Sequence, residues 1–361
     1  MRAVVLVGGE GTRLRPLTFT TPKQLLRVAE VTMIERVLRG LAAHGVGEVV
    51  LSMGYRPDEF LAVFPDDRCA GVSLAYAVEP DPRGTAGAVK FAATHAGIDD
   101  TFLVVNGDVL TDLDVGGLVA FHRSRGGLGT ISLTPVEDPS AFGVVPTDAA
   151  GRVEAFVEKP PPGEAPTHLI NAGTYVLEPE VLDRILPDKA VSIERETFPA
   201  LVAEGSLYAL SSDAYWIDSG TPALFLQANL DLLRGRRREG APAPGARLVS
   251  PGVWYLGAGP VVDGDVLPHS LVGDAAYVAS GARVVDSVIG AGARVGEGAV
   301  VEESVLLPGA VVSSHATVKG SIVGANAMVG KGAEIGGLSV IGGSAEVAAG
   351  TSLVGARYPA S

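Results

Sequence analysis

Two periodicities divide the chain. Through the first 230 residues, short apolar runs alternate with helical spacings. Val4–Val7 is an apolar run that ends in Gly8-Gly9. Ile34, Val37, Leu38 and Leu41 recur at intervals of three and four, which predicts a helix over Met33–Ala43. Val49–Ser52 predicts a second strand and Ala86–Ala96 another helix. Thr101–Val105 predicts a third, buried strand that ends in Asn106-Gly107-Asp108. Strands alternating with helices imply an α/β layer fold around a Rossmann-like, mostly parallel sheet. Ligands of such sheets sit beyond the carboxyl ends of the strands. Gly8-Gly9 and Asp108 both fall there.

The second periodicity begins near residue 251. Five similar units start at Ser270, Ser287, Ser304, Ser321 and Ser339, at spacings of 17, 17, 17 and 18. Within each unit an aliphatic residue recurs every six positions: Val272, Val278, Val284, then Ile289, Val295, Val301, then Leu306, Val312, Val318. Val323, Val329, Ile335 and Ile341, Val347, Leu353 continue the series. Three six-residue sides make one triangular coil, and stacked coils make a continuous aliphatic core. This is the pattern of a parallel β-helix. Small residues, Ala276, Ala293, Ala310, Ala327 and Ala345, suit its tight corners. Between the two patterns, Arg234–Gly245 is basic and then Pro/Gly-rich, as a solvated linker would be. The expected domains are therefore 1–233, a linker over 234–250, and a β-helix over 251–361. The repeat resembles the hexapeptide-repeat proteins, and that resemblance implies a left-handed helix.

Composition sharpens the division. Of 47 glycines, 21 lie after residue 250, where they fit the turns of a repeating coil. The net charge of −13 argues against a nucleic-acid partner, which needs a basic footprint. One cysteine, Cys69, excludes an intramolecular disulfide and a cysteine metal cluster. No apolar run approaches the ~20 residues of a membrane span. Met1–Val7 leads into glycines with no cleavage-type region. A cytoplasmic protein without a membrane partner is the expectation.

The most specific segment is Gly8-Gly9-Glu10-Gly11-Thr12-Arg13-Leu14-Arg15-Pro16-Leu17-Thr18, followed by Pro22-Lys23. Glycines after a strand let backbone N–H groups approach phosphate oxygens. Arg13, Arg15 and Lys23 add positive charge. The spacing fits neither a Walker-type loop nor the dinucleotide-binding glycine pattern. It does resemble the signature of the sugar-phosphate nucleotidyltransferases (NDP-sugar pyrophosphorylases). Further matches follow in order: Gly84-Thr85-Ala86-Gly87, Asn106-Gly107-Asp108, Phe142-Gly143-Val144-Val145, Glu158-Lys159-Pro160, Asn171-Ala172-Gly173 and Trp216-Ile217-Asp218-Ser219-Gly220-Thr221-Pro222. The resemblance runs from residue 1 to about 232, and a β-helical tail is common in the family.

The resemblance implies a reaction. A sugar 1-phosphate attacks the α-phosphorus of a nucleoside triphosphate in line, giving a nucleotide-sugar and pyrophosphate. Positioning and charge neutralisation carry such chemistry. Magnesium is the expected cofactor, and Asp108 and Asp218 match the family's two metal aspartates. Arg13 is expected to hold the leaving end of the triphosphate, Lys23 to hold phosphate across the reacting centre, and Lys159 to clamp the sugar phosphate. Gly8, Gly9, Gly11, Thr12, Gly84 and Thr85 join Arg13 as nucleotide-binding candidates. Gly143, Glu158 and Asn171 are expected at the sugar hydroxyls.

Glu79 bears on the base. It stands where thymidylyltransferases carry a glutamine. An ionised carboxylate only accepts hydrogen bonds, and guanine offers two adjacent donors, N1–H and the 2-amino group. Glu79 therefore favours GTP over UTP or dTTP. Gly-Thr-Ala-Gly and Trp-Ile-Asp-x-Gly-Thr-Pro are also closest to mannose-1-phosphate guanylyltransferases. Three departures, Gln24, Arg27 and Thr32, keep other acceptors open. These are a cyclitol such as valienol 1-phosphate, and glucose 1-phosphate with a thymidylyl, uridylyl or adenylyl donor. Two more distant alternatives are an acyltransferase built on the β-helix, with His269 or His315 as base, and a non-catalytic regulatory homologue. Open strand edges on the coils lead us to expect a homo-oligomer, dimer or tetramer, assembled partly through the β-helix.

Overall fold

The computed structural model describes residues 1–54, 57–187, 189–238 and 240–359. Glu239 of the expected linker and the last two positions of the expected β-helix lie outside them. The chain forms two compact units. One comprises Met1–Gly9 with Ile34–Trp216, and the other Glu10–Met33 with Ile217–Ser361.

The first unit is a mixed sheet. In chain order its strands are β1 (Arg2–Leu6), β2 (Glu48–Met53), β3 (Arg68–Cys69), β4 (Val72–Val78), β5 (Phe102–Asn106), β6 (Gly129–Pro135), β7 (Gly143–Val144), β8 (Val157–Glu158), β9 (Leu169–Leu177) and β10 (Leu207–Ser211). Across the sheet the order is β8-β7-β9-β5-β1-β2-β4-β3, with β6 paired to β9 and β10 to β6. The centre, β5-β1-β2-β4, is parallel. Ala3, Val4 and Val5 of β1 are wholly buried. A central parallel strand is covered on both faces, so it reads as a continuous apolar run. Helices α1 (Met33–Ala43) and α2 (Gly84–His95) match the sequence expectation. Ile34, Val37, Leu38 and Leu41 of α1 are buried as the spacing required. Beyond β5 the sheet turns antiparallel: β9 runs against β5, and β7 against β9.

The second unit is built on the β-helix. Val272, Ile289, Leu306, Val323 and Ile341 stack in register along one side. Val278, Val295, Val312, Val329 and Val347 form the second ladder. Val284, Val301, Val318, Ile335 and Leu353 form the third. The expected six-residue period is thus one side of each coil, and residues 17 or 18 apart stack from coil to coil, in the left-handed form. A further coil precedes those read from the sequence: Tyr255 pairs with Val272, Val262 with Val278 and Val266 with Val284.

The repeated serines have an interior role. Ser270, Ser287, Ser304, Ser321 and Ser339 are all fully buried. The N–H of Ser304 donates to Ser287 Oγ at 3.1 Å, and the N–H of Ser321 donates to Ser304 Oγ at 3.1 Å. Each of these two hydroxyls donates in turn to a carbonyl two residues back, at 2.7 Å. The ladder satisfies polar backbone groups that a buried corner would otherwise strand.

The rest of the unit is short elements. Residues 10–26 form tight single turns, and Arg27–Val28 pairs with Val31–Thr32 as a small hairpin. Helix α3 (Pro222–Leu233) starts as its sequence dictates: Thr221 caps it by accepting from the Leu224 N–H, and Pro222 takes the first turn. Arg234 leaves this helix and donates to Asp286 at 3.1 Å and Glu303 at 2.8 Å on the β-helix. Arg236 pairs with Asp231 at 2.9 Å. The arginine run is thus partly structural.

Candidate active site

In the first unit, candidates gather beyond the carboxyl ends of the parallel strands. Gly8 and Gly9 follow β1, Glu79 follows β4 and Asp108 follows β5. A Cβ on Gly8 or Gly9 would meet nothing within 4 Å, so backbone is presented without a side chain in the way. Gly9 also has φ +95°, which favours glycine. The turn carrying Asp108 is pinned by the Gly107 N–H donating to Leu6 O at 2.9 Å. A Cβ on Gly107 would stand 2.8 Å from Val7 Cγ1, so only glycine lets that turn lie against β1. Asp108 is half-buried there.

Glu79 is held firmly. Its N–H donates to Met53 O at 2.8 Å. Its carboxylate accepts from Ser52 Oγ at 3.3 Å and from the Arg83 N–H at 3.0 Å. A carboxylate has about four lone-pair sites, so these bonds orient it without exhausting it. Gly84 lies against Val191, where a Cβ would be 2.6 Å from the carbonyl oxygen. The Thr85 hydroxyl donates to Glu194 at 2.8 Å and accepts from the Ile193 N–H at 2.8 Å. Both residues thus fasten the start of α2 to the 191–194 segment.

The antiparallel strands carry the sugar-side candidates back to the same edge. Gly143 pairs with Glu158, and Val144 with Ile170. A Cβ at Gly143 would meet the Phe156 ring at 2.6 Å, so glycine is needed for packing. Asn171 sits where the β9 register shifts; it donates to Tyr175 Oη at 2.9 Å and accepts from the Gly173 N–H at 3.0 Å. Burial holds the Tyr175 phenol well above its ordinary pKa of 10.0, so it stays a neutral partner. Lys159 adopts a positive φ of 50°, with its N–H bonded to Phe142 O at 2.9 Å. Its ammonium lies 3.8 Å from the Glu158 carboxylate.

The second unit holds Gly11, Thr12, Arg13, Lys23 and Asp218. Gly11 has φ +63° and caps the turn Thr12–Leu14; the Thr18 hydroxyl donates to its carbonyl at 2.8 Å. A Cβ there would meet Thr18 Cγ2 at 3.0 Å and Lys23 Cβ at 3.1 Å. Arg13 and Lys23 are therefore presented by two turns packed on each other. The Asp218 carboxylate accepts from the Gly220 N–H at 2.9 Å and lies 4.0 Å from the Arg13 guanidinium. Arg15 is differently engaged: its guanidinium pairs with Glu10 at 2.8 Å.

Two residues of this unit escaped the sequence reading. Gly220 is one; a Cβ there would stand 2.8 Å from Arg13 Nη2 and 2.9 Å from Asp218 Oδ1, so its hydrogen keeps the pair close. The signal was present, inside Asp218-Ser219-Gly220-Thr221-Pro222. Glu30 is the other. Its buried carboxylate accepts the Ala291 N–H, and burial pushes it above the ordinary value of 4.5 against the pull of that bond and of Arg27. Nothing local in the sequence marked it. Of the histidines weighed for acyl transfer, His269 is tied to Asp286 at 3.1 Å.

The chain belongs to the nucleotidyl transferase family, whose model matches residues 2–235, and the GMPPB C-terminal domain model matches residues 266–358. It is a nucleotidyltransferase. A mannose-1-phosphate guanylyltransferase of Mycobacterium tuberculosis is 42% identical over 296 residues, 78% of this chain and 80% of that protein. The mannose-1-phosphate guanyltransferase of Kluyveromyces lactis is 44% identical over 64% of each chain. Among solved structures, HddC of Yersinia pseudotuberculosis complexed with GMP-PN is similar at a TM-score of 0.55 and 29% identity, covering 63% of this chain and 97% of that one. No helix among the described residues is long and apolar enough to cross a membrane.

Proposed function

We propose that this nucleotidyltransferase joins GTP to mannose 1-phosphate, releasing pyrophosphate and forming GDP-mannose. The observation that carries the base choice is Glu79. It is an acceptor-only group fixed at the carboxyl end of β4 by Ser52 and Arg83, with lone pairs left for the two donors of guanine. The named activities of the relatives support the sugar choice.

In this reading a phosphate oxygen of the sugar phosphate forms a bond to the α-phosphorus as the bond to pyrophosphate breaks. Arg13 holds the departing end of the triphosphate and receives the growing charge. Lys23 holds phosphate across the reacting centre, and Lys159 clamps the sugar phosphate. Gly143, Glu158 and Asn171 meet the sugar hydroxyls. Backbone at Gly8, Gly9, Gly11, Thr12, Gly84 and Thr85 cradles the nucleotide.

Asp108 and Asp218 are the proposed holders of magnesium. The donor chemistry fits: both offer hard carboxylate oxygens. No group of three or more His, Cys, Asp or Glu able to hold a metal occurs among the described residues. The remaining ligands would be substrate oxygens and water, as magnesium prefers. When bound, the ion neutralises charge on the triphosphate. The proposal includes a cytoplasmic setting, in keeping with a single buried thiol at Cys69, and a homo-oligomer assembled partly through the β-helix.

The test is a matrix of nucleoside triphosphates against sugar and cyclitol 1-phosphates, read as pyrophosphate release. GTP with mannose 1-phosphate should give the highest kcat/KM, and Asp108→Asn and Asp218→Asn should abolish turnover while remaining folded. A higher kcat/KM with dTTP or UTP would overturn the base assignment, and near-normal rates in both variants the metal assignment.

A further inference from the structure

The hairpin after the phosphate loop is held in an unusual shape. Its two turn residues, Ala29 and Glu30, both have positive φ, 45° and 68°. Such turns favour Asn-Gly or Asp-Gly, so Ala-Glu adopts this one only if its surroundings impose it. Three contacts do so. The Ala29 N–H donates to Asn229 Oδ1 on α3 at 2.7 Å, with both residues fully buried. Arg27 donates to the Glu30 carbonyl at 2.7 Å. The Glu30 side chain accepts the Ala291 N–H at 2.9 Å, across 261 residues of sequence.

Ala291 lies at a corner of the β-helix, in the coil that starts at Ser287. The pairing of Ile289, Leu306, Val323 and Ile341 puts Ala291, Pro308, Ala325 and Gly343 in one column along that corner. The same corner meets the front of the loop. A Cβ on Gly342 would stand 3.0 Å from Pro16 Cβ, and one on Gly343 3.4 Å from Thr20 Oγ1. The loop is therefore seated at two places on the column, three coils apart. The coil next to Ala291 carries Pro308 at the matching position, which has no N–H to offer. A slip by one coil toward Pro308 would therefore lose the Glu30 bond.

The hairpin is coupled to the proposed catalytic groups. The Leu26 N–H donates to Lys23 O at 3.1 Å, and the Met33 N–H to Leu26 O at 3.1 Å. Lys23 in turn packs against Gly11, two residues before Arg13. At the other end, the Ser219 hydroxyl, next to Asp218, donates to Met33 Sδ at 3.2 Å. A displaced hairpin would carry Lys23 and the surroundings of Asp218 with it.

We propose that this corner of the β-helix is the seat that sets the phosphate loop, and that Glu30 is a positioning residue for nucleotidyl transfer. The β-helix then contributes to the reaction within its own chain, besides any part in assembly. The inference rests on the proposed function for the roles of Arg13, Lys23 and Asp218, but not for the substrate pair.

The experiment compares full-length Glu30→Ala, Glu30→Gln and Ala291→Pro. Each is assayed with whichever pair the wild-type enzyme uses best, so a wrong substrate assignment leaves the comparison intact. Glu30→Ala should lower kcat by about 10- to 100-fold, the scale of an ångström-sized misplacement, with KM for the sugar phosphate changed less than threefold. Glu30→Gln keeps an acceptor for the Ala291 N–H and should recover kcat to within about threefold of wild type. Ala291→Pro removes only that N–H, by the substitution the next coil already carries, and should reproduce the loss. The double variant should then be no worse than either single. Hydrogen exchange over residues 20–33 is a readout independent of turnover, and should rise in Glu30→Ala and Ala291→Pro but not in Glu30→Gln. Wild-type kcat and exchange in both Glu30→Ala and Ala291→Pro, or equal losses in Glu30→Ala and Glu30→Gln, would overturn the proposal.

Discussion

At Gly220 a single hydrogen decides how close two charged groups come. The Cβ of an alanine would press on Arg13 Nη2 and Asp218 Oδ1, each within 3 Å. Arg13 is the flexible end of a long, exposed side chain, so it can swing away at little cost to folding. Gly220→Ala should therefore leave the melting temperature within about a degree while lowering kcat on the order of 100-fold if Arg13 has its proposed role at the triphosphate, since the guanidinium is displaced rather than lost. Parallel thermal melts and pyrophosphate-release kinetics check this; a matching fall in both would mean the residue serves folding instead. The contrast with Glu30 shows what a sequence can disclose at this scale. Arg13, Lys23, Asp108 and Asp218 could be proposed from sequence because each stands inside a local motif such as Asn106-Gly107-Asp108. Glu30 could not, because its partner is a backbone N–H 261 residues away, and backbone groups leave no mark on residue type.

The coil is the element whose energetics were most visible in advance. Its three aliphatic ladders repeat in sequence as they stack in space, and each fully buried side chain contributes ~1.5–3 kcal/mol. The opening coil was missed for a physical reason. Tyr255, Val262 and Val266 break the six-residue spacing, although they pair in register with the regular coil that follows. The antiparallel part of the sheet was less legible still. Strands such as Gly143–Val144 and Val157–Glu158 are two residues long and carry no periodicity. The serine ladder was seen as a marker and its bonds were not. Ser304→Ala would leave the buried Ser321 N–H without its acceptor, and should cost about 1–3 kcal/mol in urea unfolding. Ser352→Ala, at an exposed position in the last coil, should change stability by less than about 0.5 kcal/mol. Equal effects would remove the ladder's structural role.

The whole molecule is divided differently from its sequence. The composition breaks near residue 234, yet the chain enters the second unit first at Glu10, leaves it after Met33 and returns at Ile217. The stretch Glu10–Met33, with Arg13 and Lys23, therefore shares one unit with the β-helix. Apolar residues stay exposed at both ends of the β-helix: Leu248 at 58% on the strand Arg247–Ser250 that runs antiparallel to the opening coil, Val261 at 51% in that coil, and Val354 at 78% in the last. Covering such surface is what a second copy would do, so light scattering at micromolar concentration should give a multiple of 36.9 kDa. A monomer mass would refute the assembly expected of the β-helix. The two seats of the loop on the corner column carry one more consequence. Coils stack at ~4.8 Å, so Ala291 and Gly343 mark off a fixed span of about 14 Å along the column. The number of coils between them acts as a ruler for the loop. Coils can be added beyond Leu353 without disturbing it. Removing one between the seats would shorten the span by ~4.8 Å, and the loop could then reach one seat only by leaving the other.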